Sequence, residues 1–361
     1  MWISRNRRFR GSVWVRSLVV VVSLGLILTA CGGSDSEAAA SNEATTVVEG
    51  GGASTALTPA TFRLDWIITG EHTHFYAALE QGFFEEEGLD VEILEGGGSA
   101  LALQQVANKD DDFGLAGFDA LAASRAEGLP ATMVANIFRR SPHVVLSLAE
   151  TGIESPADLE GKTVGGAAGS SPTTMFNAFL EAADVDADAV EMVNLDAASY
   201  IPALLEGRID AFVGFAPSQY PILLASTPEP PNVLYYADSG VVTVSTGVVV
   251  HPDTIEERPE VVGGFVRAVQ RGLQWTLDNQ EEAVEMMTAR FPRSVEAEEA
   301  ALAVEQVGVL AFGERTADAP IGWMSEEDAQ QTLETLQKYA DLGEIEPLEN
   351  YYTNEFIDED L

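Results

Sequence analysis

The stretch from Arg63 to Asp90, RLDWIITGEHTHFYAALEQGFFEEEGLD, constrains the fold more than any other part of the chain. It opens as a short apolar strand and breaks at Thr69-Gly70 into a polar turn that carries Glu71, His72 and His74. It then resumes with apolar residues at helical spacing, Phe75, Ala78 and Leu79. A strand that feeds a helix leaves its turn at the carboxyl edge of a sheet, where open α/β sheets bind ligands. Asp65, Trp66, Glu71 and His72 are therefore expected together at that edge.

The same plan recurs along the chain. The alternating run 89–94 is followed by Glu95-Gly96-Gly97-Gly98-Ser99 and a helix from Ala100; the run 112–116 is followed by Gly117-Phe118-Asp119 and a helix through Arg125. Apolar runs at 130–138 and 143–148, separated by Arg139-Arg140-Ser141-Pro142, read as paired strands that close a first lobe over 61–148. Residues 149–245 repeat the plan as a second lobe, with strands at 162–165, 191–195 and 209–214 and helices at 173–183 and 199–206. The β-branched run 241–250 carries the chain back, and 246–361 completes the first lobe with helices at 260–290, 295–310 and 326–342. Alternating βα units predict an α/β protein with mainly parallel sheets. A ligand cleft is expected between the lobes, with hinges near 147–150 and 240–246.

The amino-terminal end carries targeting signals. Five arginines and no acid precede the apolar run 18–28, which is short for a membrane span and has the flanks of an export signal. The run ends in Leu28-Thr29-Ala30-Cys31-Gly32, which resembles a bacterial lipobox and implies removal of 1–30 and a lipid on Cys31. Cys31 is the only cysteine, so neither a disulfide nor a thiolate metal site is expected. Residues 31–60 are Gly, Ser, Ala, Thr and Glu with few large apolar residues and read as a flexible tether. The expected protein is exported and held by its lipid at the outer face of the cell membrane. With 58 acidic residues against 19 basic ones, a formal net charge of −39, it repels nucleic acid and anionic head groups. The expected partner is a small molecule, and a monomer is expected.

Candidate binding residues cluster at the strand ends. Trp66 suits stacking on a flat ring, with Phe75, Phe118, Phe215 and Tyr220 as aromatic partners. Asp65, Glu71, Asp119, Asn194 and Asp196 are the polar candidates in the same turns, most of them hydrogen-bond acceptors. Backbone and hydroxyl donors come from Gly97 and Ser99, from Gly117, and from Ser170, Ser171 and Thr173 at a helix start. Acceptors in this number suit a neutral or cationic ring bearing amino groups. Glu71-His72-Thr73-His74 places two histidines beside a carboxylate, but neither His143 nor His251 stands in a companion motif, so no metal site is expected. No nucleophile elbow, Walker loop or dinucleotide fingerprint is present.

The order of these elements carries a resemblance. Leu-Asp-Trp, a His-bearing turn, ALEQGFFEEEGLDVEI and a Gly-rich turn are followed by DFGLAGFD, LEGKTVGG and ALLEGRIDAFVGF. Over roughly residues 61–250 the chain resembles the solute-binding proteins of the thiamine-pyrimidine (THI5-like) and alkanesulfonate/nitrate families. The resemblance implies a two-lobed type II periplasmic binding protein fold and an ABC importer with permease and ATPase subunits as partners. It implies a small aromatic heterocycle as ligand, foremost a thiamine-type aminopyrimidine, with contact from His72. A riboflavin-like solute and an alkanesulfonate or nitrate are the alternatives. Related sequences include an enzyme that makes the thiamine pyrimidine with a lysine-held cofactor, a His and a cysteine-rich motif. Here the helix after Trp66 has no lysine and the lone cysteine sits in the lipobox. A receptor without a cofactor is therefore expected, and an exported enzyme on the same fold is the remaining alternative.

Overall fold

Among the residues that this computed structural model describes, 56–313, 316–340 and 342–361, the short apolar runs form two five-stranded sheets. The first has the order β2-β1-β3-β10-β4, with β1 at Thr58–Arg63, β2 at Leu89–Leu94, β3 at Phe113–Gly117, β4 at Thr132–Asn136 and β10 at Thr246–Val250. The second has the order β7-β6-β8-β5-β9, with β5 at His143–Ser147, β6 at Thr163–Gly166, β7 at Glu191–Asn194, β8 at Ala211–Phe215 and β9 at Asn232–Tyr235. In each sheet the strands of the βα units run parallel, and one strand, β10 or β5, runs antiparallel to both neighbours.

These antiparallel strands are where the chain changes sheets, and they correct the lobe boundary. Runs 130–138 and 143–148 are not paired: β4 pairs with β10 in the first sheet, whereas β5 pairs with β8 and β9 in the second. The first crossing therefore lies at 137–142, not at 147–150, and the return lies between β9 and β10. The two crossings are hydrogen-bonded to each other. Ile137 and Phe138 donate to the Thr246 carbonyl at 2.9 Å, and Ser245 donates to Phe138 at 2.9 Å. Every residue of β4 and β5 is buried, so no alternation of apolar and polar positions marks which sheet either belongs to.

Other boundaries also shift. β1 begins at Thr58, inside the stretch read as tether, and ends at Arg63, which leaves Asp65 and Trp66 in the turn beyond the strand. The single helix expected after that turn is two, Thr73–Glu80 and Phe83–Glu86, because Gly82 adopts φ 75°, a conformation that costs glycine little. The signal, the lipobox with Cys31 and most of the tether lie outside the described residues.

Three apolar clusters hold the two sheets. One joins the first sheet to helices Thr73–Glu80, Pro259–Asp278 and Ala297–Leu310 through Phe62, Phe75, Phe265 and Val304. The second bridges the sheets: Met133 and Val249 meet Val145, Val164 and Val213, under helices Phe176–Ala182 and Glu326–Tyr339. Leu333 and Leu336 of that last helix pack in this bridging cluster, so the carboxyl-terminal segment is not confined to the first lobe. The third cluster lies around β5 and β8 of the second sheet, and it includes Trp66, which reaches across from the first.

Candidate functional site

Trp66 crosses between the lobes because the chain turns sharply beyond β1. Its carbonyl accepts from Gly96 at 3.0 Å and the Asp65 carbonyl from Gly98 at 2.7 Å, which fixes the strand end against the glycine turn. Only glycine fits at 96, since a Cβ there would lie 1.8 Å from the Leu64 carbonyl oxygen. So anchored, the Trp66 ring packs against Tyr200, with centroids 5.6 Å apart and planes tilted by 38°. The two rings touch each other, so a flat ligand would stack on one of them and not between them.

Together they wall a narrow interlobe cavity. It is lined by Asp65, Trp66, Gly98 and Ser99 from the first lobe, by Ser170, Ser171 and Pro172 from the turn after β6, and by Tyr200. Val213, Gly214, Phe215, Ser218 and Gln219 complete it from β8 and the start of helix Ala216–Ser226. Its volume is about 20 Å³, far below the roughly 300 Å³ at which small-molecule pockets begin. The lobes stand close together, and a ring can enter only when they part. No lysine, arginine or histidine lines the cavity among the described residues.

Behind Asp65 lies a layer of buried ionisable groups. Thr69 N–H donates to His72 Nδ1 at 3.3 Å, which leaves the ring proton on Nε2, 3.3 Å from Asp65 Oδ1. Burial opposes a charge on His72, but the hydrogen bond to Asp65 and the nearby Glu71 outweigh it and raise its pKa above the ordinary value. Burial, and then the Asp65 charge, push Glu71 from 4.5 up to about 7, against the pull of His72 and of the Ser218 hydroxyl. Ser218 Oγ, from the second lobe, donates to Glu71 Oε2, and Thr69 Oγ1 lies 3.0 Å from the same Ser218 oxygen. Glu71 Oε1 is buried without a hydrogen-bond partner. His74 points into the first lobe, its ring centroid 4.0 Å from that of Phe75. Burial and the adjacent His72 push its pKa down to about 3, so it is neutral.

A second polar link joins the lobes beneath the cavity floor. Ser171 Oγ donates to both Asp119 oxygens, at 2.5 and 2.6 Å, and lies 2.7 Å from His143 Nε2. His143 Nδ1 lies 2.9 Å from Ser141 Oγ. Burial lowers the His143 pKa, with Asp119 pulling the other way, so the neutral ring donates from Nε2 to Ser171 and accepts at Nδ1. The carboxylate sits on the serine and not behind the histidine, so this is not the relay of a serine hydrolase. Gly117 leaves room for it, since a Cβ there would stand 2.4 Å from Asp119 Oδ1 and 2.5 Å from Ser171 Oγ.

Of the residues singled out from the sequence, Asp65, Trp66, Ser99, Ser170, Ser171 and Phe215 line the cavity. Glu71, His72, Gly117 and Asp119 stand one layer behind it. The remaining expectations need correction. Phe75 is buried in the first-lobe core, edge-on to Phe62 at 4.8 Å. At the glycine turn it is Gly98, not Gly97, that borders the cavity, and the Gly96 and Gly98 N–H groups are taken up by the Trp66 and Asp65 carbonyls. Thr173 holds Ser170 by a 2.9 Å hydroxyl contact, and exposed Asn194 accepts from Ala168 N–H at 2.8 Å. Tyr220 packs against the second-sheet core. Missed were Tyr200, Ser218 and Gln219, although the rule that selected Trp66, a helix start just past a strand end, applies equally to Ser218 and Gln219.

Comparison with known proteins supports both the fold and the lineage. A family model described as NMT1/THI5 like matches residues 69–283. The formylaminopyrimidine-binding protein of Halalkalibacterium halodurans is 29% identical over 79% of this chain and 86% of that protein. The riboflavin-binding protein RibY of Chloroflexus aurantiacus is 25% identical over 95% of this chain and 98% of its own length. A 4-amino-5-hydroxymethyl-2-methylpyrimidine phosphate synthase of Legionella pneumophila is 26% identical over 66% of this chain and 76% of its own. Among solved structures, the alkanesulfonate-binding protein SsuA of Xanthomonas axonopodis pv. citri superposes with a TM-score of 0.63 at 14% identity, covering 80% of this chain and 96% of that one. The two sheets with their paired crossings are thus the two-lobed fold of periplasmic binding proteins, and the chain belongs to the NMT1/THI5-like family.

Proposed function

We propose that this protein is the solute receptor of an ABC importer, exported, held at the membrane by a lipid on Cys31, and selective for a small flat heterocycle of the thiamine-type aminopyrimidine class. The observation that carries this reading is the cavity lining. Three aromatic rings, one carboxylate, serine hydroxyls and an amide face the space, and among the described residues no cationic side chain does. Ring amines would donate to Asp65 while a ring face lies on Trp66 or Tyr200, a contact that adds about 0.5–1.5 kcal/mol beyond burial. A sulfonate or nitrate would meet the Asp65 carboxylate with no countercharge. The similarity to a formylaminopyrimidine-binding protein points the same way. Permease and ATPase subunits follow from the importer reading as partners.

Receptor rather than enzyme is the reading for the same site. The synthase relative raises the alternative, but among the described residues no lysine faces the cavity to hold an aldehyde cofactor. A flavin is the second reading, favoured by the full-length similarity to RibY.

The test is a thermal-shift titration of the purified full-length protein with an aminopyrimidine, thiamine, riboflavin, taurine and nitrate. A ligand at a hundredfold its dissociation constant stabilises the fold by about 2.7 kcal/mol. The expected result is a shift with the aminopyrimidine that is lost in Trp66→Ala, and recovery of the compound unchanged after incubation. A shift with taurine or nitrate alone would refute the assignment, and turnover of the pyrimidine would make the protein an enzyme.

A further inference from the structure

The larger cavity of the molecule is not the interlobe slit. A groove of about 650 Å³ lies at the hinge, built from both chain crossings, Arg139 to Ser141 and Val242 to Val244, together with the end of helix Ala297–Leu310 and the start of helix Glu326–Tyr339. Its walls carry Val242, Val309 and Tyr235, three of the few large apolar side chains left exposed among the described residues.

The charges in this groove are unusual for the chain. Cations are scarce, and they are generally matched: Arg63, Arg125, Arg258 and Arg267 each hold a carboxylate within 3 Å. Among the described residues the consecutive Arg139 and Arg140, both lining the groove, form no ion pair. Arg139 is 5% exposed; its guanidinium donates to the carbonyls of Thr316, Ala319 and Pro320, and its Nε has no partner. Carbonyl oxygens hold its terminal nitrogens but do not neutralise its charge, and burial lowers its pKa to about 10. A buried charge without a counter-ion is costly, and an anion placed beside it relieves that cost. Arg140 is exposed beside it and lines the same groove. The acids of the groove do not supply the counter-ion: Asp238 lies on the exposed rim, where water screens it, and Asp328 already has a partner.

We propose that the hinge groove is a second ligand site, separate from the interlobe cavity, that takes a small organic anion with an apolar body. Its anionic end meets Arg140 above the buried Arg139, and its apolar body covers Val242, Val309 and Tyr235. Because both crossings form the walls, an occupant that fits one lobe arrangement better than the other shifts the lobe equilibrium by that difference in affinity. The site does not depend on which solute the interlobe cavity accepts.

Benzoate is the probe, titrated into the full-length protein in low-chloride buffer and followed by saturation-transfer NMR. The expected result is saturable binding that weakens at least tenfold in Arg140→Ala and in Val309→Asp and is unchanged in Trp66→Ala. Thermal unfolding of each variant alone checks that it is folded. Absence of saturable binding, binding that survives Arg140→Ala at full strength, or binding lost in Trp66→Ala would each overturn the proposal.

Discussion

Glu71 offers the sharpest test of how the interlobe layer works. Its carboxyl is 1% exposed, pressed between Asp65, His72 and Ser218, and held at about 7 instead of 4.5. At 1.36 kcal/mol per pKa unit, ionising it in the folded protein costs about 3 kcal/mol more than in the unfolded chain. The sign follows from proton counts. Between pH 4.5 and 7 the folded state holds a proton on Glu71 that the unfolded state has released, so stability falls as pH rises through this window, and the loss is complete above it. His72 acts in the same sense, because its raised pKa gives stability that is lost as pH rises through the folded value. His74 acts oppositely below 6.5 and masks part of the slope. Glu71→Gln keeps an oxygen that accepts from Ser218 and cannot ionise, so the difference between wild type and variant reports Glu71 together with its pull on His72. Denaturant unfolding of both proteins from pH 5 to 8.5 should show the variant gaining on the wild type by about 3 kcal/mol across the range. Parallel profiles would refute the reasoning, since Glu71 would then ionise in the folded state as easily as in the unfolded chain.

Three further outcomes are expected. Ser171→Ala removes the donor to Asp119 and the acceptor for His143, and urea unfolding should show a loss of about 1–3 kcal/mol. An unchanged midpoint would mean that water replaces the hydroxyl. His74→Phe should flatten the loss of stability below pH 6.5, because the wild-type ring is held neutral down to about 3 while the unfolded chain takes up a proton; an acid limb that persists unchanged would place its origin elsewhere. Raising salt from 0.1 to 1 M shortens the screening length from about 10 to 3 Å, and with a formal net charge of −39 the melting temperature should rise. A melting temperature indifferent to salt would remove self-repulsion as a factor in this fold.

The parts of the site legible in the sequence are those governed by local rules. Asp65 and Trp66 follow β1, Ser170 and Ser171 open a helix after β6, and Phe215 ends β8; each is a strand end before a helix start, and each lines the cavity. What could not be read depends on pairing over long range. β4 and β5 are both five-residue, wholly buried strands, so their composition states burial and not partner, and the place where the chain changes sheets is hidden with it. Phe75 and Trp66 are both aromatic and nine residues apart. Only the lobe contacts distinguish one as core from the other as cavity wall. Tyr200 carries no sequence signal, because it opens a helix in the second lobe whose relation to Trp66 exists only after both lobes have folded.

The distribution of contacts between the lobes bears on how the cleft opens. Toward the hinge the junction is apolar, with Met133 and Val249 of the first sheet packed with Val145, Val164 and Val213 of the second. Toward the cavity it is polar, held by Glu71 to Ser218, Asp119 to Ser171 and Ala100 N–H to the Gly169 carbonyl at 3.0 Å. Parting the apolar side exposes surface to water at about 25 cal/mol per Å², whereas the polar links exchange for water at a net cost of about 1 kcal/mol each. Opening is therefore easiest as a rotation that keeps the hinge side packed and separates the mouth. Trp66 is the exception, an apolar ring from one lobe seated in the core of the other. Withdrawing it exposes the ring that a flat ligand would cover, so capture and closure rest on the same surface.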